Sequence, residues 1–269
     1  MTPSRARFRL PGWALRQGPP ILVFIAMLAA WEAYVRLRQV PPYVLPSPSL
    51  VLETLVTDRG ILLPALLVTL KTTFGALAAA VLGGVGLAVL FAQWKWVERS
   101  FLPFAIVLQV TPVVAIAPLL LIYLEAPSAV LVCAFLVAFF PILSNTALGL
   151  ASADRNLIDL FTLYRATRWQ TLIYLRLPAA LPYFLGGLRI GGGLALIGAI
   201  VAELAAGNAG RGAGLAFRIA EAGYRLNIPR MFAALALISA TGIAIYAVLA
   251  ALSASLLGRW HDSAAGHER

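Results

Sequence analysis

Four ionisable side chains, Glu32, Lys71, Arg189 and Glu203, stand inside long apolar blocks of this 269-residue chain. A charge in hydrocarbon costs about 3 kcal/mol or more unless it meets a cavity, a partner or the interface, so such groups mark function by default. Glu32 and Lys71 lie toward block ends, where a long side chain reaches the headgroup level, and a structural role suits both. Arg189 and Glu203 are fourteen residues apart in one block. That is close to four helical turns, so they share a face at different depths. They either line a translocation path or pair with a neighbouring helix or the terminus of their own helix. No catalytic set emerges. Both histidines, His261 and His267, are in the polar tail, and the blocks hold no carboxylate pair at ligand spacing. An intramembrane hydrolase or metalloenzyme would need such a cluster. No metal site and no catalytic residue is therefore expected. A phosphate-binding loop needs Gly-Lys-Ser/Thr, but the only lysines, Lys71 and Lys95, follow Leu70 and Trp94. Any ATP would be bound by a partner, and the chain itself is not expected to be an enzyme.

The stretch from Ala151 to Pro182 has the spacing of a binding element. Leu157, Leu160, Phe161 and Tyr164 recur at helical intervals, making one apolar stripe. After Ala166 and Thr167 a second helix restarts, with Trp169, Leu172, Ile173 and Leu175 on its apolar side, until Pro178 stops or kinks it. Two short amphipathic helices either dock onto another protein or lie on lipid headgroups.

The elements around these residues are set by composition. The chain is 61% hydrophobic and 12% charged, with mean hydropathy +0.88, where a soluble domain is nearer half apolar and a quarter charged. A span needs about 20 apolar residues. Blocks of that class predict spans at about 20–37, 62–93, 101–124, 128–150, 183–206 and 231–257. They form one transmembrane domain over 1–269, with 1–18 as a cytoplasmic tail and the amphipathic loop at 151–182. Ser49 is expected to cap a short helix at Leu50–Val56. Lys71 would lie where the long second block meets the interface. The net charge of +10 comes from arginines between the blocks, with no basic stripe interleaved with aromatics, which argues against nucleic-acid binding. Cys133 is the single cysteine, so no internal disulfide forms. With the amino terminus inside, twelve Lys and Arg fall on the cytoplasmic side against seven outside; the positive-inside bias favours that orientation.

The amphipathic loop resembles the "EAA" coupling loop of ATP-binding-cassette importer permeases, the binding-protein-dependent family. There an acidic residue is followed six positions later by Gly, and the pattern closes on Leu-Pro. Asp159 holds the acidic position and Leu177-Pro178 the close. The spacing and Trp169-Gln170 are similar to the nitrate, sulfonate and taurine branch. The likeness runs on through Leu45 to Pro48, Thr111-Pro112 to Pro118-Leu119-Leu120, Phe139-Phe140-Pro141 with Asn145-Thr146 and Gly149, Gly187-Leu188-Arg189, Val201-Ala202-Glu203, and Gly212 with Gly214. Two positions depart from it. Arg165 replaces the coupling-loop Gly, and Tyr123-Leu124-Glu125 stands, one residue shorter, for an aromatic-Phe-Gly turn.

The resemblance implies an all-α membrane protein with about six spans and a cytoplasmic coupling-helix loop, the type I importer permease fold. It implies a bacterial inner-membrane subunit that pairs with a second permease subunit, alike or different. Cytoplasmic ATPase subunits and an external solute-binding protein complete the assembly. The cargo would be a small solute such as a sulfonate, taurine or nitrate. The coupling residues would be Asp159, Tyr164, Arg165, Ala166, Trp169, Leu177 and Pro178. Arg189, Glu203, Gly212 and Gly214 would line the path or its outer gate. The glycines of the fifth block, Gly186, Gly187, Gly191, Gly192, Gly193 and Gly198, permit close helix approach, which points to packing at a dimer interface. A self-contained channel or a non-transporting assembly subunit are the rival readings; neither needs a coupling loop.

Overall fold

The computed structural model describes residues 12–207 and 212–258, with side chains from residue 19 onward. Every regular element among them is helical: α1 Gly12–Leu37, α2 Pro48–Thr57, α3 Arg59–Gln93, α4 Lys95–Val110, α5 Val113–Tyr123, α6 Ala126–Ala151, α7 Arg155–Leu163, α8 Arg168–Thr171, α9 Leu177–Ala206, α10 Leu215–Tyr224 and α11 Ile228–Leu257. A π-helical turn, Leu172–Arg176, joins α8 to α9. Five helices are long and apolar enough to span a membrane, six if the bent pair α4–α5 counts as one. With 35 residues, α3 is about 50 Å long at 1.5 Å per residue, well beyond the roughly 30 Å hydrocarbon core.

The third block is not one helix over 101–124. It begins at Lys95 and breaks at Thr111–Pro112, where the axes of α4 and α5 turn by 100°. Pro112 has no N–H to give the preceding turn, and its ring drives Thr111 out of the helical region, to ψ 123°. Pro118, inside α5, causes no such break. The cap of α2 is also displaced by two residues. Ser47, not Ser49, accepts the Leu50 N–H at 3.3 Å, and Pro48 takes the first helical position, where its missing N–H costs nothing.

The core is the contact of α6 with α9, flanked by α3 and α11. Ile142, Leu188, Leu196, Ile245 and Leu249 meet there. Gly187 allows the backbone of α9 to lie on Pro141 and Asn145, and Gly198 lies on Ala134; a Cβ at either position would come within 2.9 Å of these neighbours. The fifth-block glycines thus divide. Gly187, Gly191, Gly192 and Gly198 serve packing within the chain, and only Gly186 and Gly193 face open space. The expected use of the whole set at a dimer seam is corrected accordingly, because α6 and α11 occupy most of it.

Helix α1 is peripheral, with Leu22, Val23, Phe24 and Met27 exposed. Trp31 lies against Phe232 of α11, and Glu32 supplies the polar attachment. The Glu32 carboxylate accepts the Ser49 N–H at 3.0 Å, the Ser49 hydroxyl at 2.8 Å and Arg36 at 2.5 Å. It therefore caps the first turn of α2 from another helix. Replacing Glu32 with alanine should free this junction and speed tryptic cleavage at Arg36 and Arg38 several-fold, with the remaining spans still inserted. Unchanged cleavage would show that Trp31 alone holds α1.

Candidate functional site

At one end of the bundle the amphipathic loop is built by local capping. Asp154 accepts the Asn156 N–H at 2.8 Å and starts α7. Of the stripe, Leu157, Leu160 and Tyr164 are left exposed, with Leu163 beside them, while Phe161 is half-buried; Asp159 is exposed too. The chain then turns at Arg165, which adopts φ 54°, while Ala166 donates to the Phe161 carbonyl at 2.9 Å. Arg165 occupies the left-handed region that Gly enters freely and other residues enter at a cost of about 1–2 kcal/mol. The glycine of the pattern is thus a conformational requirement of this turn, and the arginine meets it under strain. Arg165→Gly should raise stability by up to about 1 kcal/mol after the extra freedom of the unfolded glycine is discounted. A higher Tm checks this; a lower one would mean that the arginine side chain contributes more than the turn costs.

Thr167 and Gln170 form a reciprocal capping box: Thr167 N–H to Gln170 Oε1 at 2.7 Å, Gln170 N–H to Thr167 Oγ1 at 3.3 Å. This explains the glutamine beside Trp169, whose own ring is 56% exposed. Of the two expected outcomes at Pro178, a stop or a kink, the stop does not occur. The Leu177 N–H reaches back five residues to the Leu172 carbonyl, and this wider turn absorbs the proline without ending the helix. Leu177 and Pro178 therefore splice α8 to α9, giving one helical run from Arg168 to Ala206 of 39 residues. Two arginines of this splice grip α3. Arg168 donates to the Gln93 carbonyl at 3.4 Å and Arg176 to the Ala92 carbonyl at 3.2 Å. Those carbonyls end α3 and lack helical partners, and cations suit that terminus.

At the opposite end of the same rod stands Glu203, 6% exposed. Its carboxylate accepts the Thr69 hydroxyl of α3 at 2.8 Å and the Ala216 N–H of α10 at 3.1 Å. Thr69 in turn accepts the Leu215 N–H at 2.9 Å. Leu215 and Ala216 are the first residues of α10, whose N-cap is Gly214. A glycine cannot cap with a side chain; Glu203 and Thr69 do so from two other helices, and the negative charge suits the N-terminus. A Cβ on Gly214 would overlap the Glu203 carboxyl group, whereas one on Gly212 meets nothing within 4 Å. The two glycines thus have different reasons. Gly214 makes room for the lock. Gly212 borders a cavity of about 430 Å³ with Lys71, Thr72 and Phe217.

Arg189 and Glu203 do not act on a common partner. Arg189 is half-buried, with its guanidinium 5.7 Å from the Tyr246 ring centroid of α11, and its Nε has no hydrogen-bond partner among the described residues. Tyr183, Ile190, Ile197 and Leu204 mark the uncovered stripe of α9, and Arg189 flanks it. Thr69, Tyr246 and the α10 N-terminus were not singled out from sequence. Thr69 had one signal, a hydroxyl in an apolar block, but its partner lies 134 residues away. His261 and His267 lie outside the described residues.

A broken span, an amphipathic loop continuous with a spanning helix and a short helix locked over the far end define a multi-pass membrane transport subunit. Comparison with known proteins agrees. Residues 80–263 match the family described as the binding-protein-dependent transport system inner membrane component, and the chain belongs to that family of ABC-transporter permeases. It is 37% identical to the riboflavin transport system permease protein RibX of Chloroflexus aurantiacus, over 97% of this chain and 94% of that one. Identity to the formylaminopyrimidine transport permease protein ThiX of Halalkalibacterium halodurans is 34%, covering 88% and 94%. For the taurine transport system permease protein TauC of Escherichia coli it is 29%, covering 87% and 86%. Among solved structures, an amino acid ABC transporter with histidines aligns with TM-score 0.62 at 18% identity, over 74% of this chain and 96% of that one, which supports the fold.

Proposed function

We propose that this chain is the path-forming half of a bacterial importer, in which α7 and α8 face the cytoplasm and take the force of an ATPase subunit. The observation that carries this reading is the unbroken run from Arg168 to Ala206. One end is the coupling segment and the other is Glu203, the lock on α10. A push near Ala166 displaces a rod that a flexible loop could not transmit, and α10 is moved at its far end. Two permease subunits enclose the path along the uncovered α9 stripe, with Arg189 beside it. ATP binds only in the partner, an external binding protein delivers the solute, and the amino terminus is cytoplasmic.

The solute we infer is a small heterocycle ahead of taurine, a sulfonate or nitrate. This follows the relatives, since the riboflavin and formylaminopyrimidine permeases are 37% and 34% identical and the taurine permease 29%. Vesicles holding the complete transporter should take up radiolabelled riboflavin or a formylaminopyrimidine only with internal ATP. ATP-driven uptake of taurine alone would overturn the order of solutes. Uptake unaffected by removing the ATPase would overturn the importer reading itself.

A further inference from the structure

Between the α3–α4 turn and the coupling segment lies a second cavity, about 550 Å³, lined in part by Trp94, Lys95, Trp96, Thr162, Arg168 and Arg176. Its place is fixed by topology. Trp94 is the single residue between the spanning helix α3 and α4, the first half of the bent pair, so the cavity lies at the end of a span, where the chain leaves hydrocarbon. The tryptophans agree, being 39% and 66% exposed, as indole rings are at the headgroup level. The lining holds three cations and no carboxylate. Lys95 is paired with Glu98 at 2.7 Å, but this pair is exposed and weak. Arg168 and Arg176 each give one N–H to a carbonyl of α3, and a guanidinium has five. Four donors on each are left, held in place by the bond already made. From the rim, Trp96 and Phe104 lie two turns apart on α4, both about two-thirds exposed, and offer two apolar surfaces beside the basic cavity.

We propose that this cavity binds the phosphate of an anionic phospholipid of the adjoining leaflet, with the acyl chains along Trp96 and Phe104. The volume suits a headgroup, and basic pockets between spanning helices at a membrane boundary take such lipids. The lipid would bridge α4 and the coupling segment at the point where α3 is already gripped. Placing that leaflet on the cytoplasmic side rests on the orientation proposed above; the binding itself does not.

The test is native mass spectrometry of the full chain in mild detergent, exchanged against phosphatidylglycerol or phosphatidylcholine at equal mole fraction. Phosphatidylglycerol should be retained in preference. Lys95→Gln and Arg168→Gln should each weaken retention about fivefold, the effect of one charge near an anionic surface, and Trp96→Ala should weaken it without a change of charge. Because Arg168 also caps α3, Lys95→Gln and Trp96→Ala keep the test independent of folding. Equal retention of the two lipids, or no effect of these two variants, overturns the site. Full displacement by millimolar inorganic phosphate would make it a free-anion site and overturn the lipid assignment. Loss of lipid when the ATPase subunit is added would make it a part of that interface and overturn it too. Trp96→Cys, probed from each side with an impermeant maleimide, reports orientation separately.

Discussion

Replacing Gly214 with alanine should destabilise the chain by about 2–4 kcal/mol and abolish transport, while the same change at Gly212 does almost nothing. The added Cβ at Gly214 overlaps the Glu203 carboxyl group, so either the side chain or α10 must move. Overpacking costs about 1–3 kcal/mol. Moving the carboxyl group is the alternative, and it releases the Thr69 hydroxyl and the Ala216 N–H, at about 1–2 kcal/mol for each hydrogen bond lost. Gly212→Ala is the control, because its Cβ meets open space. The pair is read by thermal unfolding of the purified chain and by uptake in vesicles. Combining Gly214→Ala with Glu203→Ala should cost clearly less than the sum of the two single changes, since the second removes the obstacle met by the first. Additive losses, or equal effects at Gly212 and Gly214, would refute the lock.

The second large effect lies at the other end of the rod and spares stability. Asp159 is exposed on α7, so Asp159→Lys should change unfolding by no more than about 0.5 kcal/mol. ATP-driven uptake should nevertheless fall roughly tenfold or more, equivalent to about 1.4 kcal/mol of lost coupling. Hydrolysis by the partner should persist without transport. A bulky residue at Ala166, as in Ala166→Trp, should act the same way, because Ala166 closes the turn between α7 and α8. Normal uptake by both variants would remove this turn from the coupling surface. Loss of hydrolysis together with the ATPase subunit itself would mean that the surface serves assembly.

The two ends differ in how legible they were. Trp169 was found from spacing, because an amphipathic stripe is local and its period survives in one dimension, whereas Asp159, Gln170 and Leu177-Pro178 came from the resemblance to the coupling-loop pattern. Arg165 was visible as a departure, and its φ of 54° explains why the position asks for glycine. Glu32 and Glu203 were flagged because a carboxylate in an apolar block is costly; Glu32 was expected to reach the interface, and for Glu203 pairing with a neighbouring helix or its own terminus was one of two readings left open. Which terminus each would serve was not visible. The caps they make, on α2 and α10, involve residues 17 and 13 positions away, and Thr69 is 134 from Glu203.

Hydropathy alone determined that the chain lives in lipid and that about six blocks are long and apolar enough to cross it, since each span must satisfy its own backbone and be apolar over a fixed length. Tertiary structure decided the rest. It set the 100° turn between α4 and α5, the division of the glycines between packing and open space, and the continuity of α8 with α9 through a π-turn. It also decided that charges in and beside the spans hold the ends of neighbouring helices. Helix ends leave unpaired N–H and C=O groups, and only the arrangement of helices in space determines which side chain is near enough to satisfy them.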